Sequence, residues 1–479
     1  MRLPFSYPSD HHVLGTIGGG FIEWPFTISP HDIANHLHVI GKSNSGKSRF
    51  LAALTLSLMA HGLSVTLIDP HGTLADLVLA HLVSQGRYDR GEGYERIMYL
   101  DLREATARRR YLPFNVLQAP FSPSTRARLV LEAIRRAYPG MNTGGPGATP
   151  NFENIVLAGV SVLIYHDLPL SALHDVLINK PWRDELLKGV PDQEVRRFFE
   201  GRYDRWGKDQ ADRIESTLNK VFLMLFAEVT RYSLGQAGNS LDFNEHLKHN
   251  RSFLINLHLD DQDARRLLGS LLTVSVEQAA KARIGQKNLP PHFLVIDEFS
   301  DFSAQSSEAL VDMLSQTRKG AVYAVLAHQT LGQIDDRMLS ALQNCGFEVV
   351  FGLGYDDALR TAPAFLLPDP LRVKHVVTDE GALGRTHPAY YSLPEQLQEQ
   401  VQAIYRLRRR HALVRDPQGV VTPMKTIPVP DPILDSTKLA KVKENYLRWC
   451  YRDEAAVEAE LGDQRPPEDK PGRKIVRFG

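Results

Sequence analysis

Short apolar runs recur along the 479-residue chain, and several of them end in a polar or acidic residue. Such runs are typical of strands that are buried on both faces, as in parallel sheets covered by helices. The sequence therefore predicts an α/β fold whose sheet is mostly parallel and flanked by helices. The predicted strands are Leu37–Ile40, Leu63–Ile68, Arg96–Asp101, Phe253–Leu257, Phe293–Ile296 and Ala321–Ala327.

The middle of the chain follows a different period. Apolar residues there recur at helical spacing, as at Leu218, Val221 and Leu225, which predicts an all-helical insertion. The stretch after residue 462 is rich in Pro, Asp and Lys and is expected to be disordered. The predicted division is a lead-in over 1–34, core halves over 35–120 and 248–395, the helical insertion over 121–247, and a C-terminal extension over 396–479.

The amino-acid composition indicates an ordinary globular protein and adds little about its function. Lys plus Arg equals Asp plus Glu at 56 each, so the net charge is zero. A bulk attraction to nucleic acid is thereby excluded, and any DNA path has to be a local basic stripe. The chain has two cysteines without metal spacing and no long uninterrupted apolar stretch. These features predict a cytoplasmic protein without disulfides, a zinc site or an integral membrane segment.

The segment after the first predicted strand carries the pattern G-x-x-x-x-G-K-[ST], and a predicted helix follows it. Strand, loop and helix stand in the order that a phosphate-binding loop requires. Backbone N–H groups of such a loop bind phosphate oxygens at the helix N-terminus. Lys47 would reach the β- and γ-phosphates of ATP, and the Ser48 hydroxyl would hold Mg²⁺. The predicted nucleotide-binding residues are Gly41, Lys42, Ser43, Asn44, Ser45, Gly46, Lys47 and Ser48.

Asp297 and Glu298 end another predicted buried strand. Ligands of open α/β sheets bind at the carboxyl ends of strands, so these two acids should lie beside the phosphate loop. We interpret Asp297 as the Mg²⁺-side residue and Glu298 as the base that orients the attacking water. A lysine, a metal ion and one carboxylate are a sufficient core for phosphoryl transfer. The lack of an Asn-Lys-x-Asp motif disfavours a GTPase.

Two further polar residues follow predicted strands. Asp69 begins an Asp-Pro-His-Gly turn, and Gln329 follows Ala321–Ala327. Each is a candidate for the same site, with Gln329 sensing the γ-phosphate or the water. The alternative for both residues is that they cap the next helix or turn.

These motifs together resemble the HerA/FtsK superfamily of ring-forming ATPases that pump DNA, and within it the HerA-type helicases and conjugative coupling ATPases. The resemblance spans about residues 30–395. It depends on Gly41–Ser48, Asp69–Gly72, Asp297–Glu298, and Arg318–Gly320 leading to Gln329, with Cys345–Leu353 as the last core strand. The N-terminal β-barrel of HerA proteins and the N-terminal membrane helices of coupling proteins have no counterpart in this sequence.

The resemblance implies a RecA-like P-loop ATPase core with a helical insertion, a homo-hexameric ring and DNA as the substrate. It also implies an arginine that reaches the γ-phosphate, often from the next subunit. Arg318 and Arg360 are the candidates, and the sequence does not decide between cis and trans. A nuclease or a relaxase is the kind of partner protein that the resemblance suggests.

Two other functions remain open on the same fold: an ATPase that remodels or secretes proteins, and a nucleotide-gated scaffold that recruits a nuclease or effector. Two basic clusters are candidate DNA surfaces, with a solvated helix face as the alternative for the first and a helix end stabilised by its dipole for the second. They are Arg196, Arg197, Arg202, Arg205 and Lys208 in the insertion, and Arg406, Arg408, Arg409 and Arg410 in the extension.

Overall fold

The structure is a computed structural model. It describes residues 12–18, 24–29, 32, 34–89, 91–119, 121–137, 149–303, 307–334, 336–378 and 386–464. The chain divides into two compact units. The first contains residues 1–69, 73–92 and 283–434, and the second contains 70–72, 93–282 and 435–479. The domain boundaries at 120 and 247 stay a prediction, and the expected disordered tail lies almost wholly outside the described residues.

The strands lie close to the apolar runs from which they were predicted. In chain order they are β1 (His12–Ile17), β2 (Trp24–Ile28), β3 (Leu37–Ile40), β4 (Ser64–Asp69), β5 (Ile97–Asp101), β6 (Arg110–Tyr111), β7 (Ser252–Asn256), β8 (His292–Ile296), β9 (Val322–His328), β10 (Phe347–Phe351), β11 (Val373–Thr378), β12 (Thr386–Tyr390), β13 (His411–Arg415), β14 (Val421–Thr426) and β15 (Arg452–Asp453).

The helices fill the segments between these strands. In chain order they are α1 (Lys47–Ala60), α2 (Thr73–Ser84), α3 (Glu92–Arg96), α4 (Leu102–Ala107), α5 (Pro123–Ala137), α6 (Thr149–Tyr165), α7 (Leu173–Ile178), α8 (Lys180–Lys188), α9 (Gln193–Phe198), α10 (Gln210–Phe226), α11 (Glu228–Leu234), α12 (Phe243–Lys248), α13 (Gln262–Ala282), α14 (Ser300–Ser303), α15 (Ser307–Lys319), α16 (Asp336–Gln343), α17 (Tyr355–Phe365), α18 (Leu393–Tyr405), α19 (Ser436–Cys450) and α20 (Glu454–Gln464).

A mixed sheet forms the centre of the first unit, in the order β2-β1-β14-β13-β10-β3-β9-β8-β4. Its core strands β10, β3, β9, β8 and β4 are parallel. Every residue of β3, β4, β8 and β10 is buried, as expected for strands covered on both faces. The α/β fold class predicted from the sequence is therefore confirmed.

The strand register positions the functional residues. In the parallel ladder Ile40 pairs with His328, and Ile296 pairs with Leu326. The carboxyl ends of β3, β8 and β9 thus meet at one edge of the sheet. The phosphate loop, the acidic pair and the segment after β9 all begin at this edge.

Both termini of the first unit contribute strands that the sequence pattern did not reveal. β13 and β14 form an antiparallel hairpin on β10, and β1 with β2 extends the sheet beyond β14. β13 alternates between buried and half-buried residues. Its apolar run is only three residues long, Ala412 to Val414, so the sequence pattern predicts no more than an extension after a helix.

The second unit is mostly helical. It contains helices from α4 to α13 with α19 and α20, the parallel pair β5–β7 and the short antiparallel pair β6–β15. All regular elements in the described part of residues 121–247 are helical, in agreement with the predicted insertion. Among the described residues, no helix is long and apolar enough to cross a membrane.

Candidate active site

The phosphate loop between β3 and α1 is tied by its backbone to the strands on either side. The Gly41 amide donates to the His328 carbonyl at 3.3 Å, and the Lys42 amide donates to the Gly352 carbonyl at 3.0 Å. Ser45 is buried, whereas Lys42, Ser43 and Asn44 are exposed. The loop is therefore anchored at its base and open to a ligand at its tip.

Gly46 has a backbone conformation that the loop requires from a glycine. Its φ is 114°, in the region that L side chains rarely adopt. A Cβ atom there would lie 3.2 Å from the Arg410 amide nitrogen. That amide also donates to the Ser45 carbonyl at 2.8 Å. The segment before β13 thus packs directly against the phosphate loop, a contact between distant parts of the chain that the sequence did not predict.

Lys47 lies between the two predicted acids. Its Nζ is 3.2 Å from Asp297 Oδ1 and 3.3 Å from Glu298 Oε2. Ser48 Oγ donates to Asp297 Oδ2 at 3.3 Å. Lys47 and the two acids are more than nine-tenths buried. The structure therefore brings together the four residues predicted from two motifs about 250 residues apart.

Glu298 is held by two donors besides Lys47. Its Oε1 accepts from Ser300 Oγ at 2.9 Å and from the Gln329 backbone amide at 3.3 Å. Glu298 also has a φ of 58°, a left-handed conformation that costs about 1–2 kcal/mol in a residue with a side chain. Strain of this kind persists where the surroundings fix it, often at functional sites. Ser300 was not predicted, although it lies two residues after Glu298.

The donor set fits Mg²⁺. Ser48 and Asp297 supply hard oxygen ligands at adjacent positions, and buried Asp297 Oδ1 has no hydrogen-bond partner beyond its ion pair with Lys47. Among the described residues there is no group of three or more His, Cys, Asp or Glu side chains that could hold a metal ion. Mg²⁺ typically binds through one or two protein oxygens plus water and substrate phosphates.

Asp69 makes the contacts expected of a residue that caps the next helix. Its Oδ2 accepts from the Leu74 and Ala75 backbone amides at 2.7 and 2.9 Å, at the start of α2. The side chain is fully buried. A direct role in nucleotide binding stays a prediction.

The two candidate arginines lie in different places. Arg318 is exposed at the end of α15, just before β9. Seven residues of β9 separate it from the edge that carries the phosphate loop, a distance of about 20 Å. Burial lowers the pKa of His36, just before β3, to about 4, and the positive charge of Arg318 contributes to that decrease. Arg318 therefore lies near the amino end of β3. Arg318 therefore cannot reach the phosphate site of its own subunit.

Arg360 lies on α17, which follows the carboxyl end of β10. Its guanidinium donates to the Leu331 carbonyl at 3.0 Å and to Asp336 at 2.9 Å. These contacts hold the loop after Gln329. In this structure Arg360 therefore positions that loop and makes no contact with the four central residues.

The basic clusters differ in how far their charges are neutralised. In the insertion, Arg197 pairs with Glu194 and Arg202 donates to Asn151. Arg408 and Arg409 are exposed beside the phosphate-loop contact of Arg410. Within the described part of the chain, neither of these two side chains has an acidic partner.

Comparison with known proteins relates the fold to that of solved ATPase structures. No protein-family model matches the chain, and no curated protein matches it in sequence. The bacterial conjugative coupling protein TrwBdeltaN70 is similar over 85% of this chain and 88% of its own, with 16% identity and a TM-score of 0.54. TrwB in complex with ADP and Mg²⁺ matches with 17% identity over the same shares and a TM-score of 0.53.

VirB4 of Thermoanaerobacter pseudethanolicus matches 88% of this chain and 98% of its own, with 13% identity and a TM-score of 0.53. At such identities the likeness concerns the fold. It agrees with the resemblance to HerA/FtsK ATPases found in the motifs. The chain has the RecA-like P-loop ATPase fold.

Proposed function

We propose that this chain hydrolyses ATP with Mg²⁺ and uses the energy, as a subunit of a ring, to move DNA. The observation that carries the hydrolytic part is Lys47 held within 3.3 Å of both Asp297 and Glu298 at the edge where the phosphate loop opens. Similarity in fold to TrwB, solved with ADP and Mg²⁺ and with the ATP analogue ADPNP, supports this assignment.

Each residue has a task in this proposal. The phosphate-loop amides and Lys47 bind the β- and γ-phosphates. Glu298, held by Ser300 and the Gln329 amide, orients the attacking water and accepts its proton. Ser48 and Asp297 would hold Mg²⁺, which when bound supplies positive charge against the phosphate oxygens. When Lys47 turns to the phosphates it leaves the Glu298 carboxylate. Glu298 is then free to bind the attacking water.

The position of Arg318 supports the ring in this proposal. An arginine that stabilises the charge developing on the γ-phosphate typically raises turnover by about 10³–10⁵-fold. Arg318 lies at the opposite edge of its own sheet and can serve only the site of a neighbouring subunit. We therefore assign the catalytic arginine to Arg318 acting in trans, in a homo-hexamer.

The first experiment measures phosphate release by the full chain and its Lys47→Ala variant. Turnover should be abolished in the variant, because among the described residues no other positively charged side chain lies between Asp297 and Glu298. Lys188→Ala is a matched control, since Lys188 is an exposed lysine of α8 that pairs with the equally exposed Glu185. Turnover by Lys47→Ala at the wild-type rate would remove the P-loop mechanism.

The second experiment separates DNA from other substrates. Turnover is measured with single- and double-stranded DNA at increasing salt, since contacts with DNA phosphates weaken as salt rises. Stimulation that disappears at high salt supports a DNA motor. If neither form of DNA changes the rate of turnover at low salt, the DNA-motor proposal fails and the protein-remodelling alternative takes its place.

Mixing distinguishes a motor from a nucleotide-gated scaffold. Wild-type chain is mixed with the Lys47→Ala variant at fixed total protein, and DNA-stimulated turnover is followed against the fraction of variant. A ring whose subunits turn over in a coordinated sequence should lose activity faster than the fraction of variant increases, because one site without Lys47 stalls its neighbours. A proportional decrease would contradict coupling between subunits.

A further inference from the structure

Four polar side chains, three of them buried and one half-buried, form a continuous line across the central strands of the sheet. They lie on neighbouring strands, where fully apolar runs are the norm. His328 and His38 are completely buried, and Glu348 is 2% exposed. The line runs from β9 through β3 and β10 to β13, as His328, His38, Glu348 and Arg415.

The side chains touch at hydrogen-bond distance. His328 Nε2 is 2.8 Å from His38 Nε2, and His38 Nδ1 is 3.1 Å from Glu348 Oε1. Arg415 donates to Glu348 Oε2 at 2.9 Å. Burying such charges is costly unless each is paired and hydrogen-bonded, and here each has a partner.

The partners determine where the protons are. His328 Nδ1 is 3.0 Å from the Thr330 carbonyl, and since a carbonyl only accepts, Nδ1 donates. Neutral His328 therefore accepts at Nε2, and His38 donates from Nε2. His38 also donates from Nδ1 to the Glu348 carboxylate. This assignment, made from the partners, gives a doubly protonated His38 beside a neutral His328.

The electrostatic environment agrees with this assignment. Burial lowers the pKa of His328, and the neighbouring His38 and Lys47 lower it further. Burial would raise the pKa of Glu348, but hydrogen bonds from His38 and Arg415 outweigh it, so the pKa lies below its ordinary value. A neutral His328 and an ionised Glu348 on either side of His38 are the states that agree with these two directions.

His328 in turn contacts three parts of the active site. Its carbonyl accepts from the Gly41 amide at 3.3 Å, at the start of the phosphate loop. Its ring packs edge-on against Phe299, the residue after Glu298, with 5.2 Å between centroids. It directly precedes Gln329, whose amide binds Glu298. A shift of His328 would therefore move the loop, the base and the residue after β9 together.

We propose that His38, held by Glu348 and Arg415, is a positioning residue that acts together with the Thr330 carbonyl to fix the tautomer and orientation of His328 and thereby aligns the phosphate loop with Glu298. The kinetic part of this inference rests on the proposed ATPase function. Its structural part, the tautomer, does not. A purely structural ion pair would stabilise the sheet without any effect on the tautomer of His328.

The first test is ¹⁵N NMR of the isotope-labelled full chain, with the ring signals of His38 and His328 assigned by through-bond correlation to the backbone of each histidine. His328 should carry its proton on Nδ1 and none on Nε2, and His38 should carry both protons. A proton on Nε2 of His328 would overturn the proposal. Because the measurement uses wild-type protein without nucleotide, it also decides the matter if a variant fails to fold or if the chain turns over no ATP.

The second test uses two substitutions that each keep one of the two donors. The amide nitrogen of His38→Gln matches Nε2 and can still donate to His328, whereas that of His38→Asn matches Nδ1 and donates only toward Glu348. His38→Asn should lower kcat about tenfold, the effect of one lost hydrogen bond, with KM for ATP changed less than about threefold. His38→Gln should keep kcat within about threefold of wild type.

Equal kcat values for the two variants would overturn the positioning role. The free energy of unfolding, measured by denaturant for both variants, separates positioning from stability. If kcat follows stability instead of the donor toward His328, the line is a structural ion-pair chain and the proposal fails. Absence of turnover in wild-type protein would instead refute the proposed function.

Discussion

Glu298→Gln tests the charge balance of the site most directly. The substitution keeps the shape of the side chain and an oxygen that can accept from Ser300 and the Gln329 amide, but removes the negative charge 3.3 Å from Lys47. A phosphate bound to Lys47 would lie about 6 Å from that charge. At an effective dielectric constant of about 20, two unit charges at that distance repel by about 2–3 kcal/mol.

The expected result is therefore tighter binding with slower chemistry. ATP affinity should rise by about tenfold or more, since each 1.4 kcal/mol of relieved repulsion is a factor of ten. Turnover should fall by at least about 100-fold, the smaller end of the usual contribution of a general base. Stability should change little, because Lys47 keeps its ion pair with Asp297 and one buried charge fewer has to be desolvated.

The assay combines calorimetric titration of ATP with phosphate release under single-turnover conditions. Glu399→Gln is the control, since Glu399 makes an exposed ion pair with Arg372 and such pairs contribute at most about 1 kcal/mol. Turnover within tenfold of wild type would refute Glu298 as the base. Weaker ATP binding would refute the electrostatic reasoning, even if turnover fell.

Three further predictions concern stability. Gly46→Ala should lower the free energy of unfolding by about 2 kcal/mol, because Gly46 has a positive φ and an added Cβ would meet backbone atoms. The control Gly62→Ala should cost less, because Gly62 also has a positive φ but faces open space. Equal denaturant midpoints for the two variants would contradict this. Asp69→Ala should cost about 1–2 kcal/mol through the lost cap of α2 with KM unchanged; a tenfold rise in KM for Asp69→Asn would favour the ligand alternative. Burial lowers the pKa of His36 to about 4 and of His292 to about 3, so the unfolded chain binds more protons and stability falls below pH 6.5, by about 1–2 kcal/mol each at pH 5.5. Denaturant unfolding at pH 7.5 and 5.5 tests this, and equal stability would refute it.

Much of the core was predictable from local pattern. The P-loop and the acidic pair are each recognisable as a short motif that follows a buried strand. Parallel strands bring their carboxyl ends, and therefore both motifs, to one edge of the sheet. The contact of Arg410 with Ser45 was not predictable, because it joins segments about 365 residues apart through backbone atoms. Backbone contacts do not depend on residue type and leave no trace in a single sequence.

The arginines show the same limit. The sequence favours Arg318 modestly, because it leads into the strand before Gln329, and weighs Arg360 evenly against a surface helix residue. The strand direction separates them: Arg318 precedes β9 and lies at the far edge, whereas Arg360 follows β10 and holds the loop after Gln329. Which edge a residue occupies depends on the order and direction of strands in the assembled sheet.

The sequence by itself determined the groups available to this protein: a phosphate-loop motif and the acidic pair Asp297 and Glu298, each beside a strand whose apolar run required burial. Only the tertiary structure decided which side chains surround those groups. The line from Arg415 to His328 exists because β13, β10, β3 and β9 are neighbours in space though not in the chain. Long-range strand pairing, not local periodicity, sets the protonation and position of the residues beside the phosphate loop.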